Sequence, residues 1–284
     1  MHELAKLSMR GPTQAIILAC ISMLIPMMFW FSAAVVALVT LRKGFNQGAV
    51  VFFWTILPAM VWLFGVQDPG ALIVLALSFL MANILRITTS WQTTLVSGAL
   101  VSLILGWLSP YIMPDLIEVL MDLADEFFKE LAKQSDQEYG GQMQDGFQSL
   151  LIAGFASSFY GIAIGSVCMA RSWQSKLFNP GGWQEEFYKI RIQPRLLLLV
   201  LLLIVITPAL GLNTAVVVFT AIILLIFSGI ALVHGLIAKR KMTIQWLIGF
   251  YVSIFLLFPT VLMLVAAIAV IDSVIDFRSR VTEL

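Results

Sequence analysis

The chain has 284 residues, 60% hydrophobic and 12% charged, with 17 Lys+Arg against 16 Asp+Glu and a mean hydropathy of +0.97. Soluble domains sit nearer ~45–50% apolar and ~25% charged, so this composition excludes an ordinary water-soluble fold and points to the bilayer as solvent. The near-balance of charge excludes a basic nucleic-acid-binding surface, and two cysteines inside apolar runs, Cys20 and Cys168, supply neither a disulfide framework nor a metal site.

Lys6 and Arg10 precede the first apolar run, residues 15–41. It is too long for the core of a cleaved signal and reads as a retained membrane segment. Pro26 interrupts it, so one long kinked crossing and two half-spanning helices both fit; a single crossing is the expectation adopted. Six clear span candidates follow at 49–66, 71–85, 95–108, 150–170, 196–210 and 215–237, their ends marked by turn residues or charges, where a crossing needs ~20 apolar residues. The last run, 244–271, contains Pro259 and poses the same choice as the first. The expected fold is an all-α polytopic transmembrane bundle of about eight spans, nine or ten if the long runs split. It divides into an N-terminal membrane region (1–113), an acidic extramembrane helix and linker (114–147) and a C-terminal membrane region (148–284), within a single integral membrane domain.

Charge orders the loops. Alternating spans place Arg42-Lys43, Arg86, the 171–195 stretch and Lys239-Arg240-Lys241 on one side, which the positive-inside tendency makes cytoplasmic. The expected location is a bacterial cytoplasmic (inner) membrane. Residues 110–148 then fall outside, with nine acids against Lys129 and Lys133. Lys6 and Arg10 object, because a single crossing by 15–41 puts them outside, whereas a hairpin at Pro26 brings them inside. Within the acidic segment, Leu116, Leu120, Leu123, Phe127 and Leu131 recur at helical period over 115–133. Anionic lipid repels the acidic face, so this helix is expected on the outer ends of the other helices or on a partner. Gly140-Gly141 is expected to end the excursion.

No enzyme signature is present, and the only histidines are His2 and His234. No catalytic residue, metal or cofactor is assigned. Asn83, Arg86 and Trp91, with Thr88, Thr89, Ser90 and Gln92, form a polar link between two spans on the inner side. Together with His234 they are the candidate ligand-binding residues. Helix–helix glue, snorkelling and headgroup contact are the structural readings set against that role. Asp272 and Asp276 follow the last run, where an interfacial position accounts for them. Small residues recur four apart at Ala15/Ala19, Ala33/Ala37, Gly98/Ser102/Gly106 and Gly161/Gly165, a spacing that lets helices approach closely. Asn179-Pro180-Gly181-Gly182 must turn. Beyond it Trp183, Phe187 and Ile190 suit the interface, and Trp183, Phe187 and Arg191 are candidate partner contacts.

Two stretches carry a family likeness. Leu41-Arg42-Lys43-Gly44-Phe45-Asn46-Gln47-Gly48 resembles the Leu-Arg-x-Gly-x-x-x-Gly turn of the YybS-like family of bacterial predicted membrane proteins. Phe187-Tyr188-Lys189-Ile190-Arg191-Ile192-Gln193-Pro194 is similar to that family's Phe-x-x-x-Arg-Leu-Pro element, departing by one inserted residue and Ile for Leu. The resemblance implies a helical membrane fold remotely similar to the solute-binding S components of energy-coupling-factor transporters. It further implies that an Ala-x-x-x-Ala face, here Ala15 and Ala19, meets another membrane subunit. Three functions are weighed on these grounds. The first is a transporter-like subunit that binds a small solute from the outer side, with the acidic helix as lid. The second is a non-catalytic membrane scaffold or assembly factor. The third, an intramembrane enzyme resting on His234, is the least supported. The expected surroundings are the lipid bilayer, other membrane subunits and a small solute, without nucleic acid.

Overall fold

The computed structural model describes residues 2–135 and 141–280. Helices carry almost all of them: α1 (His2–Arg10), α2 (Pro12–Leu24), α3 (Phe29–Lys43), α4 (Phe45–Gly65), α5 (Gly70–Thr88), α6 (Trp91–Ile112), α7 (Pro114–Ser135), α8 (Gly141–Phe178), α9 (Gly182–Tyr188), α10 (Pro194–Ala209), α11 (Thr214–Lys239), α12 (Ile244–Leu256), α13 (Thr260–Ile275) and α14 (Phe277–Arg280). Hydrocarbon offers no water to bond backbone groups, so apolar runs satisfy their own N–H and C=O groups as helices. Five of them, α4, α5, α6, α8 and α11, are long and apolar enough to cross a bilayer. The 16 residues of α10 are equally apolar and span about 24 Å. The chain is an all-α polytopic membrane bundle.

The two proline-bearing runs each fold back instead of crossing once. Ser32 Oγ of α3 donates to Ala19 O of α2 at 2.7 Å. Thirteen residues of continuous helix would hold those groups about 20 Å apart. Residues 25–28, with Pro26 and a left-handed Met27 (φ 62), therefore form a hairpin tip. Trp62 Nε1 donates to Met23 O (2.7 Å) on one side of the tip, and Ser166 Oγ to Trp30 O (2.9 Å) on the other. The tip thus stops partway along α8. The last run behaves alike. Tyr251 of α12 meets His234 of α11, while Lys239 Nζ, at the end of α11, donates to Arg278 O beyond α13 (2.8 Å). Both ends of the α12–α13 hairpin thus lie at the same end of the bundle. All eight apolar runs are helical, but the two that contain Pro26 and Pro259 form hairpins and not the single crossings expected, so the expected count of eight crossings falls to six.

The first hairpin removes the conflict over Lys6 and Arg10. Fifteen of the 17 Lys+Arg now gather at one end, the basic end, and the other two are Lys129 and Lys133 in α7 at the acidic end.

At the centre stands α3, every residue of which from Phe31 to Leu41 is buried. Ser32, Ala33, Ala34 and Ala37 are small enough to let α2, α4, α5 and α8 close around it. Its basic-end terminus leaves carbonyls without intrahelical partners. Gly44, at φ 96, returns its N–H to Thr40 O (3.0 Å), and Arg86 Nη1 donates to Leu41 O (2.5 Å). Four residues on, Gly48 lies against the Thr40 side chain with no room for a Cβ.

The 38 residues of α8 span about 57 Å and project beyond the acidic end. There α7 docks on it. Asp125 accepts from Gln144 Nε2 (2.5 Å) and Gln148 Nε2 (3.1 Å), and Phe127 and Phe128 pack on Phe147. The buried face of α7 is centred on Ile117, Ala124 and Phe128, while Leu123 and Phe127 are half exposed. Its apolar stripe is broad, and periodicity alone does not choose the stripe's centre. Gly140 lies outside the described residues.

Candidate ligand cleft at the basic end

The Asn179–Gly182 turn folds α9 back over α8. Gly181 takes φ 91, where a side chain would strain the backbone. Ser175 Oγ donates to Asn179 O (2.8 Å) and accepts from Trp183 N (3.0 Å), which locks the turn to α8. The fold-back closes one wall of a cleft of about 700 Å³ between α8, α9, α11 and α12. Volumes of ~300–1,000 Å³ are typical of ligand sites.

One face of the cleft is a run of aromatic rings. Trp91 lies 5.1 Å from Trp183, Trp183 5.1 Å from Phe187, and Phe187 5.7 Å from Phe227 and 5.4 Å from His234, centroid to centroid. His234 continues to Tyr251, with Nε2 and the hydroxyl 2.8 Å apart. Edge-to-face and tilted pairs of this kind each add about 0.5–1.5 kcal/mol beyond area burial. Ser172, Ser175, Lys176 and Gln184 supply polar groups.

A smaller polar cavity of about 310 Å³ adjoins it, lined by Arg86, Thr89, Arg171, Gln174 and Glu186. Arg171 grips both oxygens of Glu186, with Nε at 2.9 Å from Oε2 and Nη2 on Oε1. Trp91 Nε1 donates to the same Oε2 at 3.2 Å. Partial burial pushes the Glu186 carboxyl up. The hydrogen bonds from Arg171 and Trp91, with the charges of Arg171 and Lys189, outweigh that and hold it below the usual carboxylate value. Trp91, on α6, thereby ties the small polar cavity to the aromatic wall.

Of the candidates named from the sequence, Trp183 and Phe187 of α9 and His234 of α11 line this cleft, and Trp91 of α6 packs behind Trp183. Arg86 sits in the adjoining cavity, where it caps α3. Asn83 lines neither cavity; its Nδ2 bonds Phe79 O on its own helix at 2.8 Å. Arg191 holds the end of α13, donating to Asp272 O (3.0 Å), Ser273 O (2.9 Å) and Asp276 Oδ2 (3.1 Å). Asp272 is fully buried and paired with Arg278 Nη1 at 2.7 Å. Ala15 and Ala19 are fully buried in this chain's own core, so their face is already covered.

Sequence reasoning missed Arg171 as a partner of Glu186, and missed Phe227 and Tyr251 altogether. Phe227 and His234 are seven apart on α11, a spacing that places them on one face and was available to be read. Tyr251 and the Arg171–Glu186 pair depend on chain reversals whose geometry leaves no local signature. An aromatic wall with a few polar groups at its mouth is suited to binding. Comparison with family models, curated proteins and solved structures yields no match to this chain.

Proposed function

We propose that the chain is a non-catalytic, transporter-like subunit of a bacterial inner membrane that binds a small solute in the cleft between α8, α9, α11 and α12. The observation that carries this reading is the convergence of Trp183, Phe187, Phe227 and His234 on one concave site of ligand size, with Trp91 packed behind Trp183. The resemblance to the YybS-like family, and through it to S components, supports it. The side differs from the outer approach first expected. The cleft opens at the basic end, which the positive-inside tendency makes cytoplasmic, and α7 packs on α8 at the opposite end. The test is thermal unfolding of the detergent-purified protein across a panel of soluble metabolites and membrane amphiphiles. A ligand at 100 times its Kd stabilises by about 2.7 kcal/mol. Stabilisation that disappears in Trp183→Ala supports the reading, and no stabilisation by any compound sinks it.

The scaffold reading keeps one observation of its own, the helix α12, which buries none of its residues. Phe255 and Leu256 are among its most exposed side chains. A membrane partner seated there would cross-link to α12 stoichiometrically and be lost in Phe255→Ala/Leu256→Ala. Absence of any such cross-link in native membranes removes this alternative.

A further inference from the structure

The polarity of the cleft changes along its length. Residues of α8 that line it step by single turns from Cys168 to Ser172 to Lys176. Those of α11 step from Phe227 to Ile230 to His234. Both helices run toward the basic end, so the cleft is apolar in its depth and polar at its mouth. The third wall is α12, which buries nothing, so on that side the cleft borders lipid.

The charge at the mouth is unbalanced. Arg171 is occupied by Glu186, Arg191 by Asp276 and Arg278 by Asp272. Lys176 is exposed and forms no ion pair among the described residues. Neither Glu185 nor Glu186 lines the cleft. Basic pockets between membrane helices on the cytoplasmic side suit anionic headgroups.

Building on the cleft as a binding site, we infer that its ligand is an anionic amphiphile drawn from the surrounding bilayer, a phospholipid with a net negative headgroup. The head sits at Lys176 with the Ser172 hydroxyl one turn below it. One acyl chain runs inward along Cys168, Phe227 and Ile230 and leaves past α12. A zwitterionic lipid carries its own cation to the mouth and gains nothing from Lys176. A free headgroup lacks the chain that the apolar depth accepts.

The test is native mass spectrometry and thermal unfolding of the full chain in detergent. The probes are phosphatidylglycerol, phosphatidylcholine of the same chains, and glycerol 3-phosphate. Phosphatidylglycerol should be retained and stabilising, and the other two should not. Lys176→Gln, an exposed change that leaves the fold intact, should weaken phosphatidylglycerol about fivefold, as loss of one cation near a headgroup does. Lys241→Gln, outside the cleft, should not. Ile230→Trp should fill the apolar depth and abolish retention. Equal retention of both lipids, or binding unchanged in Lys176→Gln and Ile230→Trp, overturns the inference. Glycerol 3-phosphate binding as well as the lipid overturns the bilayer source. A soluble metabolite that stabilises the protein and is blocked by Ile230→Trp, without lipid retention, overturns the lipid class and leaves the solute-binding reading standing.

Discussion

A methyl group added at Gly48 would run into the Thr40 side chain and approach its Cα within 3.0 Å. That contact joins α4 to the end of the central helix α3, where backbone cannot yield cheaply. Gly48→Ala should therefore cost about 1–3 kcal/mol, the usual range for overpacking, and lower the melting temperature in detergent. Gly165 has nothing within 4 Å of a Cβ. Gly165→Ala should be neutral or stabilising, since Ala is favoured over Gly in a helix by up to ~1 kcal/mol. Both glycines belong to motifs visible in the sequence. Gly44 and Gly48 were legible as a turn, and the physical need behind each is now plain: a left-handed φ at Gly44 and a close approach at Gly48. Gly98 and Gly106 press on Met81, Tyr160 and Val216, whereas Gly165 of the Gly161/Gly165 pair is open, a difference that spacing alone does not encode.

Glu186 offers a pH test at the same scale. Its carboxyl is held below the usual value of 4.5 by Arg171 and Trp91 despite partial burial. A depressed native value means the unfolded chain binds the proton more readily, so folding is favoured by deprotonation. That contribution is fully present well above 4.5 and is lost as pH falls through 4.5 toward the lower native value. Melting temperature recorded from pH 7 to pH 3 should fall more steeply for the wild type than for Glu186→Gln over the acid part of that range. Parallel curves would show that Glu186 does not couple to folding.

At the scale of elements, the two hairpins differ in how their arms are held. In α13, Val265, Ala266, Ala269, Asp272 and Ser273 are buried, and Val265 presses on Gly229 of α11. The neighbouring α12 buries nothing and touches α11 through the His234–Tyr251 pair. Ala269→Phe should cost about 1–3 kcal/mol by overpacking, while Phe255→Ala, at a side chain 85% exposed, should shift stability by no more than about 0.5 kcal/mol. Thermal unfolding of the two variants decides this, and a large loss in Phe255→Ala would mean that α12 is packed. The breaks at Pro26 and Pro259 were readable because proline lacks the N–H that a continuing helix needs. The fold-back was not, because a kink and a reversal begin with the same residues. What distinguishes them is tertiary: Ser32 reaching Ala19, and Lys239 reaching Arg278.

Over the whole molecule, the hairpins make the charge pattern consistent. With 15 of 17 cations at one end, opposite orientation would carry the basic loops across the bilayer, at ~2.5–3.5 kcal/mol for each Lys or Arg at its centre. The α2–α3 reversal is what lets Lys6 and Arg10 join that end. Topology is therefore a direct test of the fold. In a background with Cys20 and Cys168 replaced by Ala, single cysteines at Arg10 and Lys241 should react with a membrane-impermeant maleimide from one and the same face of sealed vesicles. A cysteine at Glu126, on α7, should react from the other face, and a cysteine at Leu257, in the α12–α13 tip, from neither. In intact cells only the Glu126 position should label, if the basic end takes the cytoplasmic side that the positive-inside tendency assigns it. If the Arg10 position labels together with Glu126, residues 15–41 cross the membrane once and the hairpin is wrong. If the Leu257 position labels from the Glu126 face, the last run traverses the bilayer, and α12 no longer borders the cleft from the lipid side.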